Sequence, residues 1–214
     1  KLHQLFNSLN RLKVPFNEED IPMNGIYILF EKDEFAHGGD RIVRIGSHTG
    51  INQLRARLKQ HFINENKDRS IFRKNIGRAL LNKSKDKFLE QWELDLTSKK
   101  SKEQNLHLID LDKQKEIEKR VTEYIRDNFS FAVLKIDEKK KRLESESKII
   151  STVSLCKECK SSKNWLGLFS PKEKIVKSGL WLVNELYKEP LSDKEIDELK
   201  NYLYSSRALP NHKI

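Results

Sequence analysis

Long apolar runs are missing from this 214-residue chain, and cysteine is confined to Cys156 and Cys159. No window of about 18 apolar residues exists, which excludes a transmembrane helix and leaves no membrane as partner. Lys1 to Asn10 lacks the apolar core of a signal peptide, so a cytoplasmic location is expected. The chain opens on Lys1 without an initiator Met, which reads as a processed or shortened form. Two cysteines cannot build a disulfide framework. Hydrophobic residues are scarce at 36%, while charged residues reach 35% against a typical ~25%. Even so, 10 Phe, 5 Tyr and 3 Trp are spread along the chain, enough to anchor a core and exclude a disordered polyelectrolyte.

What the chain has is charge, and the basic sign wins: 42 Lys and Arg face 32 Asp and Glu, a net +10. The excess is focused. Lys67 to Lys87 holds eight basic residues against Asp68 and Asp86, so this one window is +6. Phe72, Ile76, Ala79 and Leu80 recur there at helical spacing, which predicts one apolar stripe. Arg69, Arg73, Lys74 and Arg78 then lie on the other side. The like-charged pairs Arg69/Arg73 and Lys74/Arg78, one turn apart, repel by about a few tenths of a kcal/mol each. A phosphate backbone would relieve that repulsion. Two readings stand on charge alone, a solvated basic face and a nucleic-acid contact.

Periodicity predicts helices over about 2–12, 52–62, 68–81, 112–127, 143–155 and 191–204, with a weak segment at 88–96. Asp112 and Ser192 are expected near helix starts. Strands are expected over 25–31, 41–45 and 129–136. The first two read as an antiparallel hairpin with a long connection that turns at Gly38-Gly39-Asp40. The mixed order, without βαβ alternation, makes the class α+β.

Several short motifs fall on these elements in a telling order. Gly25-Ile26-Tyr27 lies on the first strand and Ile45-Gly46 ends the second. Arg57-Leu58 and His61-Phe62 lie on the next helix, Glu146 precedes Ile149-Ile150 on a later one, and Asn164 stands in an NWLG run. Together they resemble the GIY-YIG nuclease family. The resemblance implies a small α/β/α sandwich with a three-stranded antiparallel sheet in one domain, 1–214. Here it would be elaborated by a basic helical insertion at 63–128 and a C-terminal helical extension at 170–214. It also implies a metal-dependent phosphodiesterase site, with Tyr27, Arg44, Arg57, His61, Glu146 and Asn164 as its catalytic residues. Glu146 would hold Mg²⁺ or Mn²⁺. The NWLG…SP…SGLW run resembles the tail of a restriction-associated branch, so a restriction-type endonuclease is expected. Its partner would be double-stranded DNA gripped by Arg69, Arg73, Lys74 and Arg78, and a homodimer would serve to cut both strands.

The residue types suit that chemistry. Leu143, Ile149, Ile150 and Val153 place Glu146 near the middle of an apolar helix face, while Glu144 points away. A carboxylate so placed is costly unless it is paired or holds a metal. An ion pair with Arg57 therefore stands as the alternative to a metal site. Ile51, Leu54, Leu58 and Phe62 fall within an arc of about 80°, with Arg57 and His61 at its edge. Arg57 would meet phosphate charge with a planar fork of donors. Tyr27 would position the attacking water or accept its proton, and His61 is the other base or shuttle. Asn164 would hold a water or the Glu146 carboxylate.

One position departs from the family pattern: Arg44 replaces the second motif's Tyr. It is expected on the strand face of Ile42 and beside Tyr27, where a fixed cation favours an ionised phenol. The same departure fits an inactive nucleic-acid-binding scaffold, and an RNA-directed or repair nuclease is a further rival. Cys156-Lys157-Glu158-Cys159 has the spacing of half a zinc site, and no second pair follows it in the sequence.

Overall fold

The computed structural model describes residues 1–208. In chain order it runs α1 (Leu2–Asn7), β1 (Gly25–Ala36), β2 (Gly39–Gly46), α2 (Leu54–Phe62), α3 (Ile71–Lys83), α4 (Leu89–Glu93), α5 (Lys99–Asn105), α6 (Leu111–Asn128), β3 (Phe129–Lys135), α7 (Lys139–Ser154), α8 (Glu173–Ser178) and α9 (Asp193–Ala208). The class is α+β. The strands form one antiparallel sheet in the order β2-β1-β3.

The central strand starts with an unbroken apolar run, GIYILF, because both of its faces are covered. Tyr27 and Leu29 join Val43, Phe131 and residues of α2, α3 and α6 in one buried cluster. Ile26, Ile28 and Phe30 alternate onto the opposite face with Ile42, Ile45, α1 and α7. The segment expected as a basic insertion thus supplies a large part of the first cluster. Phe72, Ile76, Ala79 and Leu81 of α3 and Ile117, Val121 and Ile125 of α6 are all buried in the first cluster.

Several expected boundaries shift, each for a visible reason. The first helix ends at Asn7, because Leu12 exchanges two backbone hydrogen bonds with Phe131 (2.8 and 2.9 Å) and extends the sheet beside β3. The hairpin has no long connection. Its strands are longer than expected and are joined by His37 and Gly38 alone, with φ of 54° and 76°. Two successive positive φ values suit a tight hairpin turn. The charged stretch that looked like loop contains Glu34, whose carboxylate is paired with Arg41 inside the protein. Ile51 precedes α2 and is exposed rather than part of its apolar arc. The low-complexity run after Ser98 forms the short helix α5.

The hairpin register also shifts, from Leu29 opposite Arg44 to Phe30 opposite Ile42. Val43 is the extra residue, and its carbonyl accepts the Trp181 backbone N–H at 2.8 Å. One extra residue reverses the alternation of side chains. Ile42 therefore packs in the second cluster, while Arg44 turns to Phe72 of the first, and the shared face expected for Arg44 and Ile42 is not formed. The segment after α7 is tied to the central strand through a carboxylate. Trp165 and Trp181 both donate their indole N–H to Glu31 Oε2 (2.7 and 2.8 Å), and the Tyr124 hydroxyl donates to Oε1 at 2.5 Å.

Candidate active site

Tyr27 on β1 lies opposite Gly46 on β2, and its phenol rests on that glycine. A Cβ at position 46 would stand 2.2 Å from the Tyr27 hydroxyl oxygen, so only glycine leaves the ring in place. The same oxygen is 2.7 Å from His61 Nε2, and His61 Nδ1 is 2.7 Å from Ser70 Oγ. Ser70 is also the N-cap of α3, accepting the Arg73 N–H at 3.2 Å. One polar chain therefore joins β1, α2 and the start of α3. It is deeply buried, with Tyr27 1% and His61 0% exposed. Burial, then the charges of Arg57, Arg44 and Arg73, hold the His61 pKa well below the ordinary histidine value. The imidazole is neutral at neutral pH.

Two guanidinium groups flank this chain. Arg44 lies on the Tyr27 face of the sheet, one diagonal step away. It donates through Nη1 to the Trp181 carbonyl, stands 5.3 Å from the Phe72 ring centre, and leaves its buried Nε–H without a partner. Arg57 is half-buried. Its Nη1 donates to Gln60 Oε1 and the Arg69 carbonyl, both at 3.1 Å, and its Nε–H also lacks a partner. Arg57 lines a cleft of about 430 Å³ together with Ser47, His48, Thr49, Gln53, Ala56 and Gln60.

Glu146 on α7 adjoins that cleft through Ser47, one of its lining residues. Its carboxylate accepts the Ser47 backbone N–H at 3.1 Å and the Ser47 hydroxyl. Burial raises its pKa, with the Ser47 hydroxyl and the Arg44 charge pulling the other way. Among the described residues no cationic side chain lies within ion-pair distance of it, so the pairing with Arg57 is not formed. Glu144 is exposed and borders a separate groove of about 480 Å³ between α7 and α9.

Sequence reasoning missed the loop that gathers these groups. Arg142, one turn before Glu146, donates to the His48 and Gly50 carbonyls at 3.3 and 3.4 Å. It also donates to the Ile136 and Asp137 carbonyls, both at 3.1 Å. Two successive turns of α7 thus hold the segment from Ser47 to Gly50. His48 closes it by bonding the Gly50 carbonyl through Nδ1 (2.8 Å) and accepting the Gly25 N–H at Nε2 (3.3 Å). The available signal was the spacing of four between Arg142 and Glu146, which puts both on one helix face. Ser70 carried a signal too, as a serine just before a helical stripe.

The other expected residues lie elsewhere. Asn164 is exposed, between Ser162, which bonds Glu34, and Trp165, which bonds Glu31. Those carboxylates are four and seven residues past Tyr27 on β1, about 13 to 23 Å along the strand. The structure does not bring Asn164 to Glu146. Arg73, Lys74 and Arg78 do not form a solvated face. Arg73 is fully buried and donates to Glu118 Oε2 at 2.7 and 3.1 Å, to its carbonyl at 3.0 Å and to Thr122 Oγ1 at 2.7 Å. Lys74 donates to the Glu93 carbonyl at 2.8 Å, and Arg78 forks onto the Glu93 carboxylate at 2.5 and 2.6 Å. The like-charge repulsion read from sequence is relieved by protein carboxylates. Of the four expected grip residues only Arg69 is exposed.

A three-stranded antiparallel sheet covered by helices on both faces, with GIY on the central strand paired to IG on an edge strand, defines an α/β/α sandwich of the nuclease type. A GIY-YIG domain model matches residues 1–208, and the chain belongs to the GIY-YIG family, whose members are generally endonucleases that use divalent metals. A search of curated proteins and a search of solved structures each found no match. No helix among the described residues is long and apolar enough to cross a membrane.

Proposed function

We propose that this protein is a restriction-type endonuclease that hydrolyses DNA phosphodiester bonds with Mg²⁺ or Mn²⁺. The observation that carries the reading is the buried Tyr27–His61–Ser70 chain beside Arg44 and Arg57, with the uncompensated Glu146 carboxylate at the same cleft. The donor set fits a hard cation. Glu146 is an oxygen ligand with lone pairs beyond those Ser47 uses, and a hard cation held there would keep several waters as its other ligands. Glu146 would hold the cation, which would supply Lewis-acid polarisation of a phosphoryl oxygen and stabilisation of the leaving oxygen.

The remaining work belongs to the chain's own side chains. His61 joins the Tyr27 and Ser70 hydroxyls through its two ring nitrogens, so a proton can pass along the chain inside the protein. The Tyr27 hydroxyl orients the attacking water and accepts its proton, passing its own to His61 Nε2, as the water oxygen bonds to phosphorus and the bond to the leaving oxygen breaks. Arg57 faces the charge that builds on the phosphate.

Duplex grip passes to exposed cations elsewhere on the surface. Lys139, Lys140 and Lys141 are exposed in the first turn of α7, where the helix dipole disfavours them. A phosphate offsets that repulsion within two turns of Glu146. Restriction-type use rests on the NWLG…SGLW run, and two copies would cut both strands.

Supercoiled plasmid tests the reading. Wild type with Mg²⁺ or Mn²⁺ is expected to nick or linearise it, and Glu146→Ala to leave it intact. Wild type that binds the plasmid but leaves it uncut over several metals and sequences favours the inactive scaffold. Faster cleavage of an RNA duplex favours the RNA-directed rival.

A further inference from the structure

Far from the cleft, four side chains with soft or borderline donors meet without a catalytic partner. His37 sits in the hairpin turn, ten residues past Tyr27 along the strand and so about 30 Å away. His37 Nε2 lies 3.1 Å from Cys159 Sγ and 3.3 Å from Cys156 Sγ. His3, on α1, places its two ring nitrogens 3.6 and 3.8 Å from Cys159 Sγ. One donor atom each from His3, His37 and Cys159 lie within 4.8 Å of one another, and the two thiols also interact. Both cysteines are free.

We propose that His3, His37, Cys156 and Cys159 form a structural zinc site. Tetrahedral zinc with Zn–S of about 2.3 Å and Zn–N of about 2.0–2.1 Å sets its sulfur and nitrogen ligands about 3.5–3.6 Å apart. The contacts found here, 3.1 to 3.8 Å, bracket that spacing before any ion draws the ligands together. Two thiolates and two neutral imidazoles also balance the ion's charge, the two thiol protons leaving to solvent as zinc binds. Soft sulfur with imidazole in a closed set of four favours zinc over the hard cation that suits Glu146. His37 Nδ1 lies 3.3 Å from Glu158 Oε2, so a carboxylate orients the ring that points Nε2 at the sulfurs.

The site ties together three segments that are far apart in sequence: α1, the β1–β2 turn and the loop after α7. Four protein ligands leave no open position for substrate, so the role is structural. The cysteine pair read as half a site is completed by histidines 119 and 156 residues away.

The test is metal content of full-length protein purified under reducing conditions with zinc present and no chelator. Elemental analysis is expected to give about one zinc per chain, released by a thiol-blocking mercurial. Cobalt substitution is expected to give the visible d–d bands of a tetrahedral site with thiolate charge transfer. Cys156→Ser and His37→Ala should each weaken zinc binding by at least about tenfold. His107→Ala, at an exposed histidine outside the cluster, should leave it unchanged. The proposal is overturned by reduced protein that takes up no zinc, by a Cys156–Cys159 disulfide formed instead, or by full zinc content in both variants. The cobalt spectrum of the wild type decides the matter if a variant does not fold.

Discussion

Replacing Arg73 by alanine separates the two roles that a basic residue on α3 could have. Arg73 is 0% and Glu118 3% exposed, and the guanidinium makes its bonds to Glu118, Thr122 and the His61 carbonyl wholly inside the protein. Arg73→Ala removes them all and leaves the Glu118 carboxylate with the Lys67 backbone N–H as its remaining hydrogen bond. Breaking a buried pair in this way costs about 3–5 kcal/mol. That is a large share of a total stability of about 5–15 kcal/mol. Burial already raises the Glu118 pKa, and Arg73 is the charge that opposes the rise. Without it the folded-state pKa climbs further above the unfolded ~4.3, and the folded variant binds more protons than the unfolded chain in between. Its stability therefore falls as pH rises through that window, by up to ~1.4 kcal/mol per unit. Urea unfolding at pH 5.5, 7 and 8 reads both quantities. Arg69→Ala, at an exposed side chain, should stay within about 0.5 kcal/mol of wild type. A loss below about 1 kcal/mol for Arg73→Ala, or a deficit that shrinks towards pH 8, would refute the internal role.

Gly46→Ala puts a Cβ 2.2 Å from the Tyr27 hydroxyl oxygen and should lower the cleavage rate by about 10²-fold or more through misplacement of the phenol. Steady-state rates at unchanged DNA affinity would show it, and wild-type rates would contradict it. Acid should unfold the protein, because burial lowers the pKa of His61 and His48. Between those values and the ordinary ~6.5 the unfolded chain binds more protons, so stability is full above that pH and lost below it by up to ~1.4 kcal/mol per unit for each histidine. His61→Gln should flatten part of this slope in urea titrations from pH 7.5 to 5.5, and an unchanged slope would count against a neutral buried imidazole. Lys139, Lys140 and Lys141 changed together to Ala should reduce the salt dependence of DNA binding by up to about three counterions. A slope equal to wild type would remove α7 from the duplex contact.

The parts of the fold that local pattern governs were readable in the sequence. GIYILF reads as a strand, the 3.6-residue stripe of α6 as a helix, and the spacing on α7 singles out Glu146 from Glu144. What was not readable depends on partners distant in sequence. Arg73, Lys74 and Arg78 look like a solvated stripe because Glu118 and Glu93, which lie 45 and 15 residues from their arginine partners, cannot be matched to them by periodicity. The charged tip of β1 looks like loop because the Glu34–Arg41 pair is invisible to composition. Asn164 fell in motif order, yet motif order does not say at which end of β1 a loop returns. Arg44 keeps its expected place beside Tyr27 but not the face of Ile42, because the register shifts at Val43, whose carbonyl is bonded by the Trp181 N–H, 138 positions later in the chain.

Single-turnover cleavage of a duplex substrate by wild type, Tyr27→Phe, Glu146→Gln and the double variant tests most directly that these residues form one metal-dependent site. Each single change should slow cleavage by about 10²–10⁴-fold with folding and DNA affinity retained. The double should be little slower than the worse single, since groups acting as a unit do not add. Wild-type rates in either single variant, or a double loss equal to the product of the two, would contradict a shared site.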